Sequence, residues 1–289
     1  MLAIIGTVPD ENFPLATGKI SLKNNQIYIQ GKKLPVGRGT MALMAAAIKT
    51  CEAIDIELPF GFLVGDTGLG KGSRYLYDYL TKNLTHYDFN TITFHYLQPD
   101  VDWHNRIFFT IQEMGKQPIL IADAGFMYAA KMSGQARKYD LFTPDTGELA
   151  FLADEKAPHP FYTRGFILHE KKQVPELIER AYKYENAASC VLIKGQPDQV
   201  ADKKGIFTTV DHPVMEAMEA IGGTGDTLTG VVSALIESGM EIKEAAPAAC
   251  LINRLAGYYS KPTCASQIAD IVTQIPRSVA EVISLSTSS

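Results

Sequence analysis

The run Gly222-Gly223-Thr224-Gly225-Asp226 stands directly before a segment with helical periodicity. Apolar residues recur there at i, i+3, i+4, i+7 and i+8 and predict a helix packed on a sheet: Leu228, Val231, Val232, Leu235 and Ile236. The first backbone N–H groups of a helix have no partner within it and lie at the positive end of its dipole. Because glycine lets the backbone approach an anion closely, the run predicts an anion site suited to a phosphoryl group.

Asp226 falls in the first turn of this helix, beside the expected anion. A carboxylate there would repel a phosphate unless it acted as a base on an acceptor hydroxyl or helped to hold a metal ion. The alternative is that Gly222-Gly223 forms a tight turn and Asp226 only caps or charges the start of the helix. The local sequence leaves both interpretations open.

A second segment shifts the balance toward a nucleotide site. Val191-Leu192-Ile193 is an apolar strand that ends in Lys194-Gly195, an ammonium group followed by a flexible turn. In open α/β sheets, ligands bind at the carboxyl edge of the strands. We therefore expect Lys194-Gly195 and the glycine run to meet at that edge.

The rest of the chain alternates short apolar runs with longer segments of helical period, which predicts a mostly parallel sheet covered by helices on both faces, a three-layer α-β-α sandwich. The predicted strands are Leu2–Gly6, Phe60–Gly65, Thr91–Tyr96, Pro118–Ala122, Leu141–Thr143 and Ala188–Ile193. The predicted helices are Thr40–Ala53, Arg74–Lys82, Asn105–Met114 and Val174–Tyr184, and the period stays helical from Asp226 almost to the end. We expect residues 1–289 to form one domain, with a hairpin at residues 18–31 near the sheet edge.

Composition excludes several classes of protein. The 289 residues are 46% hydrophobic and carry a net charge of −5 with no basic block, so nucleic acid is not an expected partner. No window approaches the about 18 apolar residues of a membrane span, and no leader pattern opens the chain, so we expect a cytoplasmic enzyme that does not bind a membrane. The four cysteines stand far apart in the sequence and predict reduced, mostly buried thiols.

Six segments together resemble the ribokinase-like fold and, within it, the ADP- or ATP-dependent NAD(P)H-hydrate dehydratases, from about residue 36 to 260. These segments are Gly39–Ala42 before an alanine-rich helix, Gly68-Leu69-Gly70, Ala122-Asp123-Ala124, Thr143–Leu149, Lys194-Gly195 and Gly222–Gly230.

The resemblance implies that ADP or ATP, with Mg²⁺, phosphorylates the hydroxyl of hydrated NADH or NADPH, and that loss of the phosphate regenerates the dinucleotide. It implies that Asp226 is the catalytic base. It assigns the nucleotide to Lys194, Gly195, Gly222, Gly223, Thr224, Gly225 and Asn253, although Asn253 could equally be a plain helix-surface residue. It assigns the substrate to Thr40, Gly68, Gly70 and Asp145, and it has Glu148 act through Mg²⁺ or water.

The match departs from the family pattern on the substrate side. Thr67 replaces a proline, Asp145 and Thr146 replace a histidine and a proline, and Pro197-Asp198 follows Lys194-Gly195 in place of a small residue and threonine. Two alternatives therefore stay open. One is a kinase that phosphorylates a hydroxymethyl group of a sugar, vitamin or pyrimidine, and the other is a non-catalytic nucleotide-binding protein. The fold is compatible with a homo-oligomer, and an epimerase, often fused to this family's dehydratases, would be a separate protein.

Two other patterns carry less weight. Gly65–Lys71 matches the spacing of a phosphate-binding P-loop, but Gly72 stands where that loop needs serine or threonine. We expect instead a strand-to-helix turn that faces the substrate. The six histidines show no metal-binding spacing and are expected on the surface or in the core: His86, His95, His104, His159, His169 and His212.

Overall fold

The computed structural model describes residues 1–155, 174–263 and 265–286. His159, His169 and Cys264 lie outside the described residues, as does the serine-rich end at 287–289. The other three cysteines, Cys51, Cys190 and Cys250, are free and buried, as predicted.

Within these residues, nine strands form one central sheet in the order β12-β11-β10-β9-β8-β7-β1-β6-β2, and β3, β4 and β5 form a small antiparallel sheet. The strands are β1 Leu2–Val8, β2 Ala16–Lys19, β3 Ser21–Lys23, β4 Gln26–Ile29, β5 Lys32–Pro35, β6 Phe60–Gly65, β7 Thr91–His95, β8 Ile119–Ala122, β9 Leu141–Phe142, β10 Cys190–Ile193, β11 Asp198–Asp202 and β12 Gly205–Val210. The six central strands, β6, β1, β7, β8, β9 and β10, are parallel, whereas β2, β11 and β12 pair antiparallel at the two edges.

Ten helices cover this sheet in the described part of the chain. They are α1 Thr40–Ala53, α2 Lys71–Asn83, α3 Val101–Gln112, α4 Ala124–Met132, α5 Thr146–Ala153, α6 Val174–Lys183, α7 Thr224–Glu237, α8 Ile242–Ser260, α9 Ile268–Val272 and α10 Ile275–Ser286. None of them combines the length and the apolar run needed to cross a bilayer.

The strands separate two hydrophobic cores. Along β1, Leu2 and Ile4 pack into a core with α1 and α7 to α10, while Ala3 and Ile5 pack into a second core with α2 to α6. Such alternation follows from the period of two in a strand, and here both faces are apolar because helices cover both. The structure thus confirms the predicted three-layer α-β-α architecture with a mostly parallel sheet.

The region 18–31 is built around a tight turn. Asn24 and Asn25 both have positive φ, 51° and 55°, and join β3 to β4. Asparagine tolerates this left-handed conformation, which a two-residue hairpin turn requires. The third strand, β5, then pairs with β4 beside the sheet edge.

Helices α1 and α7 approach each other at backbone distance. A Cβ atom built on Gly230 of α7 would lie 2.2 Å from the carbonyl oxygen of Leu43 in α1, so only glycine fits. This close packing brings the start of α1, at Thr40, next to the start of α7, at Thr224.

Candidate active site

The carboxyl ends of the parallel strands gather polar side chains at one edge of the sheet. His95 ends β7, Asp123 follows β8, and Lys194 follows β10. Because parallel strands end on the same side, these side chains meet although they are far apart in the sequence. The start of α7 lies at the same edge and completes the group.

The start of α7 carries free hydrogen-bond donors. Gly223 precedes the helix with φ of 110°, a left-handed conformation, and a Cβ there would lie 3.2 Å from the Cα atom of Arg38. No side chain caps the helix, and its first internal bond runs from the Thr227 N–H to the Gly223 carbonyl. The amides of residues 224–226 therefore have no hydrogen-bond partner among the described residues, which suits an anion.

Asp226 is 9% exposed and holds a fixed orientation. Its Oδ1 lies 2.9 Å from His95 Nε2, and its Oδ2 accepts the Gly39 N–H at 2.7 Å. Asp226 is therefore not the cap of its own helix, since both oxygens bond to other elements. Burial raises its pKa, but the hydrogen bond from His95, the Lys194 charge and the Gly39 N–H outweigh burial and hold the pKa below its usual value.

Lys194 forms a buried ion pair beside these amides. Its Nζ lies 2.8 and 3.0 Å from the two carboxylate oxygens of Asp123, which also accepts a hydrogen bond from Thr229 Oγ1 at 2.7 Å. Burial lowers the pKa of Lys194, but the Asp123 and Glu148 carboxylates outweigh this and raise it above its usual value. A Cβ on Gly225 would lie 3.3 Å from Lys194 Cδ, so the aliphatic part of the Lys194 side chain passes directly beside Gly225.

Two cavities meet at this edge. The first, of about 580 Å³, is lined by Thr7, Pro9, Arg38, Gly39, Thr40, Met41, Asp66, Gly68, Tyr96, Leu97, Gln98, Pro99, Ala124, Gly125, Tyr128, Asp145, Gly147, Glu148 and Phe151. The second, of about 410 Å³, contains Lys194, Gly195, Asn253 and residues 223–226 in its wall. Tyr96, Ala124, Asp145 and Glu148 line both, and Asp226 of the second cavity bonds to Gly39 of the first.

The family model for NAD(P)H-hydrate dehydratase matches residues 98–277, more than half of the chain. The chain belongs to the NAD(P)H-hydrate dehydratase family of enzymes. An uncharacterised protein of Methanocaldococcus jannaschii is 40% identical over 238 residues, 82% of this chain and 98% of that protein. The ADP-dependent (S)-NAD(P)H-hydrate dehydratase of Cenarchaeum symbiosum is 30% identical over 135 residues, 47% of this chain and 42% of that protein.

A bifunctional NAD(P)H-hydrate repair enzyme of Pyrobaculum aerophilum is 28% identical over 139 residues, 47% of this chain and 25% of that protein.

Solved structures share the fold at lower sequence identity. Pyridoxal kinase of Staphylococcus aureus, in complex with AMP-PCP and pyridoxal, superimposes with a TM-score of 0.54 at 14% identity, over 88% of this chain and 86% of that one. Phosphofructokinase-2 of Escherichia coli, in complex with fructose-6-phosphate, superimposes with a TM-score of 0.55 at 12% sequence identity. The match covers 97% of this chain and 99% of that one. These likenesses support the ribokinase-like fold and nothing beyond it.

Within this dehydratase-family fold, the departures at Asp145 and Thr146 have a local structural reason. Asp145 Oδ1 accepts the Glu148 N–H at 2.7 Å, and Glu148 Oε2 accepts the Asp145 N–H at 2.8 Å, a reciprocal capping box at the start of α5. Thr146 is the first residue of that helix. Tyr128 donates its hydroxyl to Glu148 Oε1 at 3.2 Å, and burial raises the pKa of Glu148 to about 7.

The departure from the family pattern at Asp198 also has a structural explanation. It accepts the Gly195 N–H at 2.9 Å and the Arg254 Nε–H at 2.7 Å, while Arg254 Nη2 donates to the Gly195 carbonyl at 2.9 Å. Asp198 and Arg254 are both buried, so this pair fixes the turn that follows Lys194. The departure therefore bears on the shape of the turn rather than on the substrate.

Asn253 is a core residue, and its interpretation as a plain surface residue is wrong because it is only 6% exposed. Its Oδ1 accepts the Thr227 hydroxyl at 2.7 Å, and its Nδ2 donates to the Thr224 carbonyl at 3.0 Å. Asn253 thus fixes the start of α7 while it lines the second cavity.

The turn at residues 65–71 is filled by its own carboxylate. Asp66 Oδ1 accepts the N–H groups of Gly68 and Gly70, and Asp66 Oδ2 accepts the N–H and hydroxyl of Ser73. Asp66 therefore occupies three amides, those of Gly68, Gly70 and Ser73, that a P-loop could otherwise offer to a phosphate. Gly68 lines the first cavity, whereas Gly70 and Gly222 lie outside both linings and pack against Gln98 and Arg38.

His95 is the site residue that the sequence did not single out. It is fully buried, and its two partners, Thr40 and Asp226, lie 55 and 131 residues away in the chain. No local motif could show this, and the available signal was its place at the end of a predicted strand. The potential metal-ligand atoms of His95, Asp123 and Asp226 lie within 4.8 Å of one another, but each already has a protein partner, since Lys194 pairs with Asp123 and His95 Nε2 bonds to Asp226.

Proposed function

We propose that this protein is a nucleotide-dependent dehydratase that repairs hydrated NADH or NADPH. The observation that carries the proposal is the position of Asp226. This carboxylate, held through both oxygens, lines the second cavity beside the amides of residues 224–226, and it accepts the N–H of Gly39 from the wall of the first cavity. Membership in the NAD(P)H-hydrate dehydratase family supplies the substrate class.

The second cavity fits the phosphate end of a nucleotide. Its wall offers the amides of residues 224–226 and the ammonium of Lys194, and a Cβ on Gly225 would narrow the space between them. We propose ADP or ATP as the phosphoryl donor, and the name of the Cenarchaeum symbiosum relative supports ADP. Oxygen ligands suit Mg²⁺, and Asp145 and Glu148 place such oxygens in the wall shared by both cavities.

In the reaction that we propose, Asp226 accepts the proton of the substrate hydroxyl as the oxygen attacks the terminal phosphorus of ADP or ATP. The P–O bond to the rest of the nucleotide breaks, and AMP or ADP leaves with the electron pair. General-base catalysis of this kind contributes about 10²–10⁴-fold. The amides of residues 224–226 stabilise charge on the transferred group. The C–O bond then breaks, phosphate leaves with the electron pair, and the adjacent carbon loses a proton to the departing phosphate or to water as the ring double bond returns.

Two departures from the family pattern, Asp145 and Asp198, do not by themselves require a different substrate. Asp145 caps α5, and Asp198 anchors the turn after Lys194 through Arg254, so both have reasons that do not involve the acceptor. A kinase that phosphorylates an alcohol is the alternative with the same machinery.

Hydrated NADH incubated with ADP or with ATP tests the proposal. We expect dihydronicotinamide absorbance to return with release of one phosphate per turnover. Asp226→Asn should abolish turnover while nucleotide binding, measured by calorimetry, persists. Accumulation of a stable phosphorylated product would instead identify a kinase, and nucleotide binding without turnover in the wild type would leave a binding protein.

A further inference from the structure

A chain of hydrogen bonds runs behind the carboxylate of Asp226. Thr40 Oγ1 lies 3.0 Å from His95 Nδ1, and His95 Nε2 lies 2.9 Å from Asp226 Oδ1. Thr40 is 2% exposed and His95 is fully buried, so water does not compete for these bonds. The three residues come from the start of α1, the end of β7 and the first turn of α7.

The proton positions follow from the partners. An ionised carboxylate only accepts, so Nε2 carries the ring proton and donates it to Asp226. When the ring is neutral, Nδ1 is unprotonated and accepts the Thr40 hydroxyl proton. The Asp226 carboxylate thereby selects the tautomer, and Thr40 holds the ring through its other nitrogen.

We propose that His95, held by Thr40, is a positioning residue that fixes the Asp226 carboxylate with its free lone pairs toward the junction of the two cavities. The Gly39 N–H binds Oδ2 and His95 binds Oδ1, so the two donors together fix the plane of the carboxylate. With Gly39 alone, the carboxylate could rotate about that single bond. The inference rests on the proposed function, in which Asp226 takes the substrate proton.

Other charged and titratable groups also face His95. Asp123 Oδ2 lies 3.9 Å from Nε2, and the ring of Tyr96 packs edge-on at 4.3 Å between centroids. Lys194 neutralises Asp123 at 2.8 Å, which leaves Asp226 as the carboxylate that His95 serves. Loss of the hydrogen bond from His95 Nε2 should therefore affect the Asp226 carboxylate more than the Asp123 carboxylate.

The protein contains a matched control within its described residues. His104 is also fully buried, with Nε2 2.8 Å from the Tyr139 hydroxyl and Nδ1 3.0 Å from the Ser133 hydroxyl. Both histidines therefore bridge two partners inside the protein, but only His95 bonds to a carboxylate. A purely structural role predicts that the two respond alike to substitution.

We expect His95→Gln to lower kcat for hydrated NADH on the order of 10²-fold, the loss expected when a reacting group is misplaced. KM and the nucleotide Kd should stay within about twofold, because His95 touches neither ligand in the proposal. The acidic limb of the pH–rate profile should move to higher pH, since the bond that lowers the pKa of Asp226 is weakened. His104→Gln should leave kcat and the pH profile unchanged, whatever it does to stability.

Equal kcat values and equal pH profiles in the two variants would overturn the inference. Nitrogen-15 NMR of the wild-type imidazoles gives a readout that needs no activity. The inference requires protonated Nε2 and unprotonated Nδ1 at His95, with Thr40→Val changing the Nδ1 chemical shift that reports its hydrogen bond. A protein inactive on hydrated NADH but with this tautomer would contradict the proposed function alone, whereas an active protein with the opposite tautomer would contradict the role of His95 alone.

Discussion

The carboxylate of Glu148 serves two roles that a single substitution can separate. It closes the capping box of α5, and it lines both cavities, where we expect it to contact Mg²⁺ directly or through water. Glutamine also closes a capping box at this position but carries no charge. Glu148→Gln should therefore keep α5 intact and raise the Mg²⁺ concentration that gives half-maximal activity.

The same variant has a predicted pH signature. Burial raises the pKa of Glu148 from 4.5 to about 7, so the folded protein holds a proton that the unfolded chain releases in this window. The wild-type free energy of unfolding therefore falls as pH rises from 4.5 to about 7, and the loss is complete above that. The free energy of unfolding of Glu148→Gln, measured in urea without added metal, should therefore exceed that of the wild type by an amount that grows across the same pH window. Glu185→Gln, which removes an exposed carboxylate, is the control, and an equal gain there would contradict the assignment.

At this scale the sequence could identify Asp226 and Lys194, because each belongs to a local motif that opens a helix or ends a strand. It could not identify His95, since the role of that residue depends on its hydrogen-bond partners in α1 and α7. The two interpretations left open for Asp226 were also not separable locally, because its bond to the Gly39 N–H joins positions 187 residues apart. Long-range contacts of this kind carry no signal in a single sequence.

Among elements, the contact between α1 and α7 sets the geometry of the site. A methyl group on Gly230 would overlap the Leu43 carbonyl oxygen, at 2.2 Å, and force the helices apart. We expect Gly230→Ala to lower the free energy of unfolding by about 1–3 kcal/mol, the usual cost of overpacking. It should also lower kcat, because Asp226 on α7 would move away from the Gly39 N–H ahead of α1. Gly115→Ala, where a Cβ meets open space, is the matched control in chemical denaturation, and an equal loss in both variants would contradict this account.

All six strands predicted from the apolar runs are present, since a buried parallel strand reads as a continuous apolar segment. Helices α4 and α5, in contrast, were not predicted, because their sequences lack a helical pattern. Each has nine residues or fewer and is apolar on most sides, so no helical period distinguishes it from a loop or strand. The antiparallel strands β11 and β12 were missed because their sequences, Asp-Gln-Val-Ala-Asp and Gly-Ile-Phe-Thr-Thr-Val, show neither a continuous apolar run nor a regular alternation.

Across the whole molecule, the second cavity joins elements from opposite faces of the sheet. Glu148 comes from α5, which packs in one core, and residues 224–226 come from α7, which packs in the other. A nucleotide bound between them should therefore stabilise both layers together, by about 2.7 kcal/mol at 100 times Kd. We expect ADP or ATP to raise the melting temperature with concentration and to slow amide exchange at the starts of both α5 and α7. Asp226→Asn should respond to nucleotide as the wild type does, because in our proposal that carboxylate acts on the acceptor and not on the nucleotide. Protection confined to α7 would mean that the nucleotide binds the helix start without spanning the cavity, and would remove the basis for a Glu148 contact.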